Sequence, residues 1–191
     1  MEILEGGKIK GGLFRAHIEW VVQTHDLSAL ENVLDSLSAT TSKTISDGLL
    51  ANAWYPFSLV VEMDRAIVSV CGAQSDFNSF IKDLGRFSAE VNLGGVYRAF
   101  NKADPHKFFE HSALHRSTFL DFGRIEYDKT SENSCRLSLS ECPCYSKVFC
   151  LSQAGYYEMA TFLQGGKQPH VKEHKCQCRD DPACIFEISW E

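Results

Sequence analysis

Three cysteines in the C-terminal part of the chain have the spacing of a metal site. Cys176 and Cys184 lie on either side of a polar turn, and Cys150 lies near the start of the helix predicted just before that turn. Thiolates converge on one ion when a tight turn supplies one pair and a neighbouring packed element supplies the rest. The pattern therefore predicts metal chemistry where a helix meets a hairpin.

The fourth ligand of such a site has three candidates. In an ideal strand His174 shares a face with Cys176, whereas Glu173 points to the opposite face and could ligate only if the strand twists, bulges or ends there. Cys178, two positions after Cys176, is the third candidate. The same cysteines could instead be buried free thiols, which pack as small hydrophobic side chains. We favour metal, because dense thiol clusters in a reducing compartment are commonly zinc sites.

Composition limits the classes of protein to consider. The chain has 191 residues, of which 44% are hydrophobic, and this suits one compact domain. The formal net charge is -6, without clustered Lys and Arg, which argues against nucleic-acid binding. The most apolar stretch, residues 57–71, is interrupted by charges and predicts no membrane span. With eight cysteines and no secretory signal, we expect a cytoplasmic protein whose cysteines are thiols or metal ligands.

Helical spacing dominates the first two thirds of the chain. Residues 1–12 are predicted to be a flexible lead-in to one domain that covers residues 13–191. From Leu13 to Phe122 the apolar residues recur with a helical period, and Gly, Pro and Asp residues divide them into helices of ordinary length. Pro56, for example, suits the first turn of a helix that continues to Cys71.

The pattern changes after Gly123. Residues 124–129 and 135–139 predict one β-hairpin, and residues 171–175 and 184–190 predict a second strand pair. The segment between them returns to helical spacing from Lys147 to Leu163. The predicted fold class is therefore α+β, with an N-terminal helical layer packed on a ββαββ antiparallel sheet.

The tail HVKEHKCQCRDDPACIFEISW resembles the end of four-vinyl-reductase domains. These are small-molecule-binding domains related to the TRAPP transport subunits and to the sensing domains of aromatic-responsive activators. The resemblance is closest over residues 150–190 and extends more loosely from residue 49. In that family the sensing domains hold zinc with a Cys, then a Glu, then two Cys. The residues that match this spacing are Cys150, Glu173, Cys176 and Cys184.

The resemblance implies a structural zinc site with Glu173 as the fourth ligand. Three thiolates and one carboxylate would complete a tetrahedral ion and leave no position for an activated water. Such an ion would join the last hairpin to the preceding helix and contribute directly to folding. The family usually has Gly-Asp in the turn where this chain has Asp180-Asp181, and Asp tolerates tight-turn geometry.

The resemblance also implies an apolar ligand pocket between the helices and the sheet, with a Tyr or His that orients the ligand. The residues expected to line it are Tyr97, Phe100, Phe108, His115 and Tyr156. Core packing would explain each of these aromatic side chains equally well.

Other candidates for chemistry are weaker. Cys142 and Cys144, separated by Pro143, would close only a strained disulfide ring, so two loop thiols are expected. His111 and His115 have a spacing that can bind a metal from one helix face, but no third ligand is evident and a solvated face is expected. The sequence contains no nucleophile elbow, phosphate loop or nicotinamide fingerprint, which argues against an enzyme.

We therefore expect a non-enzymatic regulatory protein that binds a small hydrophobic or aromatic molecule and contains a structural zinc. Its output would pass through a homodimer or to a separate effector protein. Two alternatives stay open at this point, both suggested by the family. One is a dimeric assembly scaffold like the transport subunits, and the other is an accessory enzyme of tetrapyrrole metabolism.

Overall fold

The computed structural model describes residues 2–72 and 76–191, and within these ranges the chain forms seven α-helices and six β-strands. The helices are α1 (Gly11–Thr24), α2 (Leu27–Asp35), α3 (Ala39–Ser46), α4 (Phe57–Cys71), α5 (Phe77–Gly94), α6 (Pro105–Leu114) and α7 (Lys147–Leu163). The strands are β1 (Lys8–Lys10), β2 (Trp54–Pro56), β3 (Arg124–Ser131), β4 (Ser134–Ser140), β5 (His170–Lys175) and β6 (Cys184–Ser189). The predicted α+β class is confirmed.

The N-terminal half contains a small antiparallel sheet, whose two strands precede α1 and α4 in the chain. Strand β1 pairs with β2, so that Ile9 lies opposite Tyr55, and the Ile9 side chain is buried. The predicted flexible lead-in thus contains a strand, and α1 begins within it at Gly11. Strands of three residues are too short to show an alternating pattern, which is why the sequence did not reveal them.

The second sheet has four antiparallel strands in the order β3-β4-β6-β5. Helix α7 lies between β4 and β5 in the chain and contacts β5 and β6, while α6 contacts β3. Alternate residues of the central strands point into the core, and those of β4 are Cys135, Leu137 and Leu139. The alternation leaves one face of the sheet for packing on these two helices.

Two apolar clusters form the interior. The first joins α1 and α4 to α5 and to the start of α7, and the second joins the four-stranded sheet to α5, α6 and α7. Helices α5 and α7 therefore stand between the N-terminal helices and the sheet. Within the first cluster, His17 Nδ1 and Asp64 Oδ1 form a buried hydrogen bond of 2.6 Å.

The segment between α5 and β3 differs from the predicted helices. Helical spacing predicts helices as far as Phe122, but the structure has only a 3-10 turn at Arg98–Phe100, and α6 ends at Leu114. A second 3-10 turn at Arg116–Thr118 follows. Gly94 and Gly95 end α5, and the chain then folds back so that its aromatic residues face the sheet core.

In the described part of the chain, no helix combines the length and the apolar composition that crossing a bilayer requires.

Candidate functional site

An apolar cavity of about 70 Å³ lies between α6, α7 and the four-stranded sheet. Three residues predicted to contact a ligand line it, namely Phe100, Phe108 and Tyr156. Phe109, Phe119 and Tyr157 complete the aromatic part of the wall. The cavity therefore lies where the helical segments and the sheet meet.

The other two predicted pocket residues lie outside the cavity wall. Tyr97 is buried beside it, with its ring centroid 4.6 Å from that of Phe119. Burial raises the pKa of Tyr97, and its hydroxyl has no hydrogen-bond partner among the described residues. His115 is exposed at the end of α6, with its ring 6.3 Å from that of Phe100.

The polar residues of the cavity wall are Arg116, Ser112 and Gln153. The sequence analysis singled out none of them. Arg116 follows directly on the exposed His115, and nothing in its local sequence distinguishes it from a solvated arginine. Its burial depends on the return of the chain at the 3-10 turn, which brings it against Phe122.

The histidines of α6 lie close together. The ring centroids of His111 and His115 are 4.4 Å apart, and the ring of His111 packs 5.1 Å from that of Phe100. Burial, together with the positive charge of Lys102, lowers the pKa of His111. Among the described residues this pair belongs to no group of three or more side chains that could hold a metal ion.

The structure brings together the four side chains predicted as metal ligands. One ligand atom from each of Cys150, Glu173, Cys176 and Cys184 lies within 4.8 Å of the others. Cys150 Sγ is 3.7 Å from that of Cys176 and 3.8 Å from that of Cys184, and the last two are 4.0 Å apart. We call these four residues the thiol cluster.

A bulge turns Glu173 toward the cysteines. The register of β5 against β6 shifts between Glu173 and Lys175, which is the distortion that an acidic ligand at this position requires. His174 instead pairs with Glu187 through a 2.7 Å contact on the exposed side. In the turn that follows, Asp180 has a φ of 64°, the left-handed geometry that Asp tolerates.

Protonation within the thiol cluster is uneven. Burial and a hydrogen bond with Cys176 raise the pKa of Glu173 to about 8. Hydrogen bonds from Cys150 and Cys176 lower the pKa of Cys184 to about 4, and the backbone N–H of Gln177 donates to the same sulfur at 3.3 Å. The pKa of Cys150, by contrast, is raised by its hydrogen bonds with the other cysteines and by burial, so Cys184 ionises more readily than Cys150.

No protein-family model matches the chain, and no curated protein matches it by sequence. Solved structures do match. An H-NOX protein from S. oneidensis in the Fe(II)NO ligation state superposes with a TM-score of 0.71 at 14% identity, covering 96% of this chain and 99% of that one. An unliganded Fe(II) H-NOX protein from K. algicida gives 0.66 at 12% identity, covering 96% and 97%. This chain therefore has the fold of H-NOX structures.

These comparisons contradict the resemblance to four-vinyl-reductase domains. The matching solved structures are H-NOX structures that cover almost the whole of this chain, including the N-terminal helices. The resemblance depended on a short segment of helix, strand, cysteine turn and strand. A local motif of this kind says little about the helices that pack on it, and the overall fold overrides it.

The assignment of a structural zinc cofactor is also wrong. The neighbours are described with Fe(II), and in one case by the redox potential of their heme, not with zinc. Proximity of thiols showed only that several ligating atoms meet, and this does not identify an ion. The use of the thiol cluster residues as metal ligands stays a prediction from the sequence.

Proposed function

We propose that this chain is a non-enzymatic sensing module that takes a small apolar molecule into the cavity between α6, α7 and the sheet. The observation that carries the proposal is the cavity itself, which is lined mainly by aromatic and aliphatic side chains and has only a few polar groups in its wall. Walls of this composition are typical of ligand sites. The fold supports it, since an H-NOX neighbour is described in a ligated state with NO.

The small volume of the cavity gives the proposal a mechanism. At about 70 Å³ the cavity has room for only a few water molecules, so a larger guest must displace ring side chains such as Phe100 and Phe119. A ligand shifts a protein between two shapes only when it binds them with different affinity. The closed and the opened arrangement of these rings would supply the two shapes, and the change would reach α6 and α7 directly.

Heme, the group named for some neighbours, does not fit this cavity. An engineered protein cavity of about 150 Å³ admits benzene, and a macrocycle of four pyrroles is several times larger than benzene. Among the residues that the structure describes, no His, Cys or Met lines the cavity. The imidazole of His111 packs on the ring of Phe100. Phe100 belongs to the cavity wall, whereas His111 does not. The proposal therefore assigns no step to heme.

The test is binding of small apolar probes by the full chain. Benzyl alcohol, hexanol, benzoate and hexanoate would each be added while the thermal unfolding midpoint and the amide NMR spectrum are recorded. A ligand that binds only the folded state raises the midpoint as its concentration exceeds Kd. We expect at least one probe to do so and to shift resonances of α6 and α7.

A matched pair of variants locates the site. Ser112→Leu places an isobutyl group in the cavity wall and should abolish probe binding, whereas Ser28→Leu, at an exposed position of α2 that does not line the cavity, should leave it unchanged. The proposal fails if none of the four probes binds, or if both variants bind them as the wild type does. A Soret absorbance that develops on adding hemin would overturn the exclusion of heme.

The homodimer, the separate effector protein and the cytoplasmic location stay predictions. Light scattering on the purified chain, with and without a bound probe, would measure the oligomeric state and its response to ligand.

A further inference from the structure

Arg116 is a buried cation without a counter-ion. Its side chain belongs to a residue that is only 8% exposed, and it forms no ion pair within residues 2–72 and 76–191. Its Nε donates a 3.3 Å hydrogen bond to the carbonyl of Phe122, and its guanidinium lies 5.9 Å from the centre of the Phe122 ring. Its Nη2 is buried and has no acceptor in the described part of the chain.

The groups around Arg116 do not neutralise it. Burial raises the pKa of the Cys142 thiol although the Arg116 charge and a hydrogen bond with Arg116 act against it, and burial also raises the pKa of the Tyr157 phenol, so neither group supplies a negative charge. A neutral thiol is a weak acceptor. Arg86 shows the usual arrangement, because that guanidinium is half-buried and bonds to the carboxylate of Glu158 at 2.6 Å. Burying a charge costs several kcal/mol unless a partner compensates it.

The position of Arg116 points to an external partner. Arg116 lines the inner cavity and also an open cleft of about 580 Å³ between α6 and β3. The two spaces share Ile125 as well. Gly123 lies beside the guanidinium, since a Cβ built there would lie 3.4 Å from Nη2 and 2.4 Å from the Cys142 sulfur. Arg116 therefore lies at the boundary between the open cleft and the apolar interior.

We propose that Arg116 binds the carboxylate of a small organic acid whose apolar part enters the inner cavity. The inference rests on the proposed function and adds the chemical class of the ligand. A guanidinium presents a planar fork of donors that matches the two oxygens of a carboxylate. One unpaired positive charge balances one negative charge, so a monocarboxylate suits the site better than a phosphate dianion. The neighbouring cation of the cleft, Arg124, is already paired with Glu126 at 3.0 Å.

The test compares acids with uncharged molecules of the same shape. Benzoate and benzyl alcohol form one pair, and hexanoate and hexanol form the other. Their affinities for the full chain would be measured by calorimetry or NMR titration in the wild type, in Arg116→Met and in Arg124→Met. Arg124→Met is the matched control, because it removes an exposed arginine from the rim of the same cleft.

In the wild type each acid should bind at least about tenfold more tightly than its alcohol. Arg116→Met should remove that preference while the alcohols bind as before, and Arg124→Met should keep it. If Arg116→Met does not fold, Arg116→Lys retains the charge but not the fork and should reduce the preference. Alcohols that bind the wild type as well as the acids do would overturn this inference and leave the proposed function standing. Absence of binding by all four probes would instead remove the proposed function.

Discussion

Gly155 of α7 lies against the backbone carbonyl of Lys82 in α5. A Cβ built on Gly155 would come within 2.0 Å of that carbonyl oxygen, a distance that no real contact allows. The relationship is reciprocal, because a Cβ on Gly85 of α5 would lie 1.9 Å from the carbonyl oxygen of Ser152 in α7. These two helices separate the N-terminal cluster from the sheet, so their close approach sets the position of α7 beside the cavity.

We expect Gly155→Ala to destabilise the fold by about 1–3 kcal/mol or more, because the added methyl group must push the helices apart. Urea unfolding would measure the loss of free energy of unfolding. Gly94→Ala is the control: that glycine ends α5 with open space around it, so its replacement should be neutral or slightly stabilising. Equal stability of the two variants would show that the helices are not in this contact.

Much of the secondary structure could be predicted because it depends on local pattern. Helix α7 has the predicted limits, Lys147 and Leu163, since its apolar residues keep a helical period until Gly165, which adopts a φ of 99°. The cysteines that flank the turn could be placed for the same reason. Because a turn joins the two strands and a helix packs on them, the cysteines in these elements can occupy only a few positions.

The cavity wall depends on contacts that the sequence does not show. Phe100 and Phe108 were expected near a ligand only because they are aromatic, and nothing local separated them from Tyr97, which packs beside the wall. Arg116 was missed because its burial results from the return of the chain after α6. The fold itself was assigned to the wrong family, since at 14% identity the whole-chain likeness lies in the packing of elements and not in shared motifs.

Glu62 should give the fold a measurable dependence on acid pH. Its carboxylate accepts hydrogen bonds from the Ser38 backbone, the Ser38 hydroxyl and the Thr41 hydroxyl, which joins the start of α3 to α4. Burial raises the pKa of Glu62, but these hydrogen bonds outweigh it and lower the pKa below the usual 4.5. The stabilisation is therefore present above pH 4.5 and is lost as the pH falls through the folded-state pKa.

Glu62→Gln should reduce the free energy of unfolding by about 1.5 kcal/mol at pH 7, and the difference from wild type should shrink at pH 3. Urea unfolding at both pH values measures it. Glu90→Gln, at an exposed position on α5, should change stability little at either pH. If Glu62→Gln lowers the free energy of unfolding as much at pH 3 as at pH 7, the ionised carboxylate does not have this role.

Gln164 holds the segment that leads into α6. The side chain is buried at the end of α7, and its Oε1 accepts hydrogen bonds from the backbone N–H groups of Lys102 at 2.7 Å and Ala103 at 3.1 Å. Its Nε2 donates to the side chain of Asn101 at 2.9 Å. The residue that follows α7 therefore fixes three consecutive residues before α6, the helix that carries Phe108 and Ser112 of the cavity wall.

Gln164→Leu should keep most of the apolar packing but remove all three hydrogen bonds, at a cost of about 1–3 kcal/mol. The loss of stability should be greatest in the segment that Gln164 holds. Amide hydrogen exchange should therefore become faster in residues 102–108 more than in α1. Gln23→Leu, which removes an exposed hydrogen bond to Glu19 within α1, should change neither measurement appreciably. If α6 exchanges at the wild-type rate in Gln164→Leu, the position of the cavity wall is set by the sheet and not by α7. Because the proposed ligand must displace rings attached to this segment, a loosened α6 should also change the affinity for benzoate.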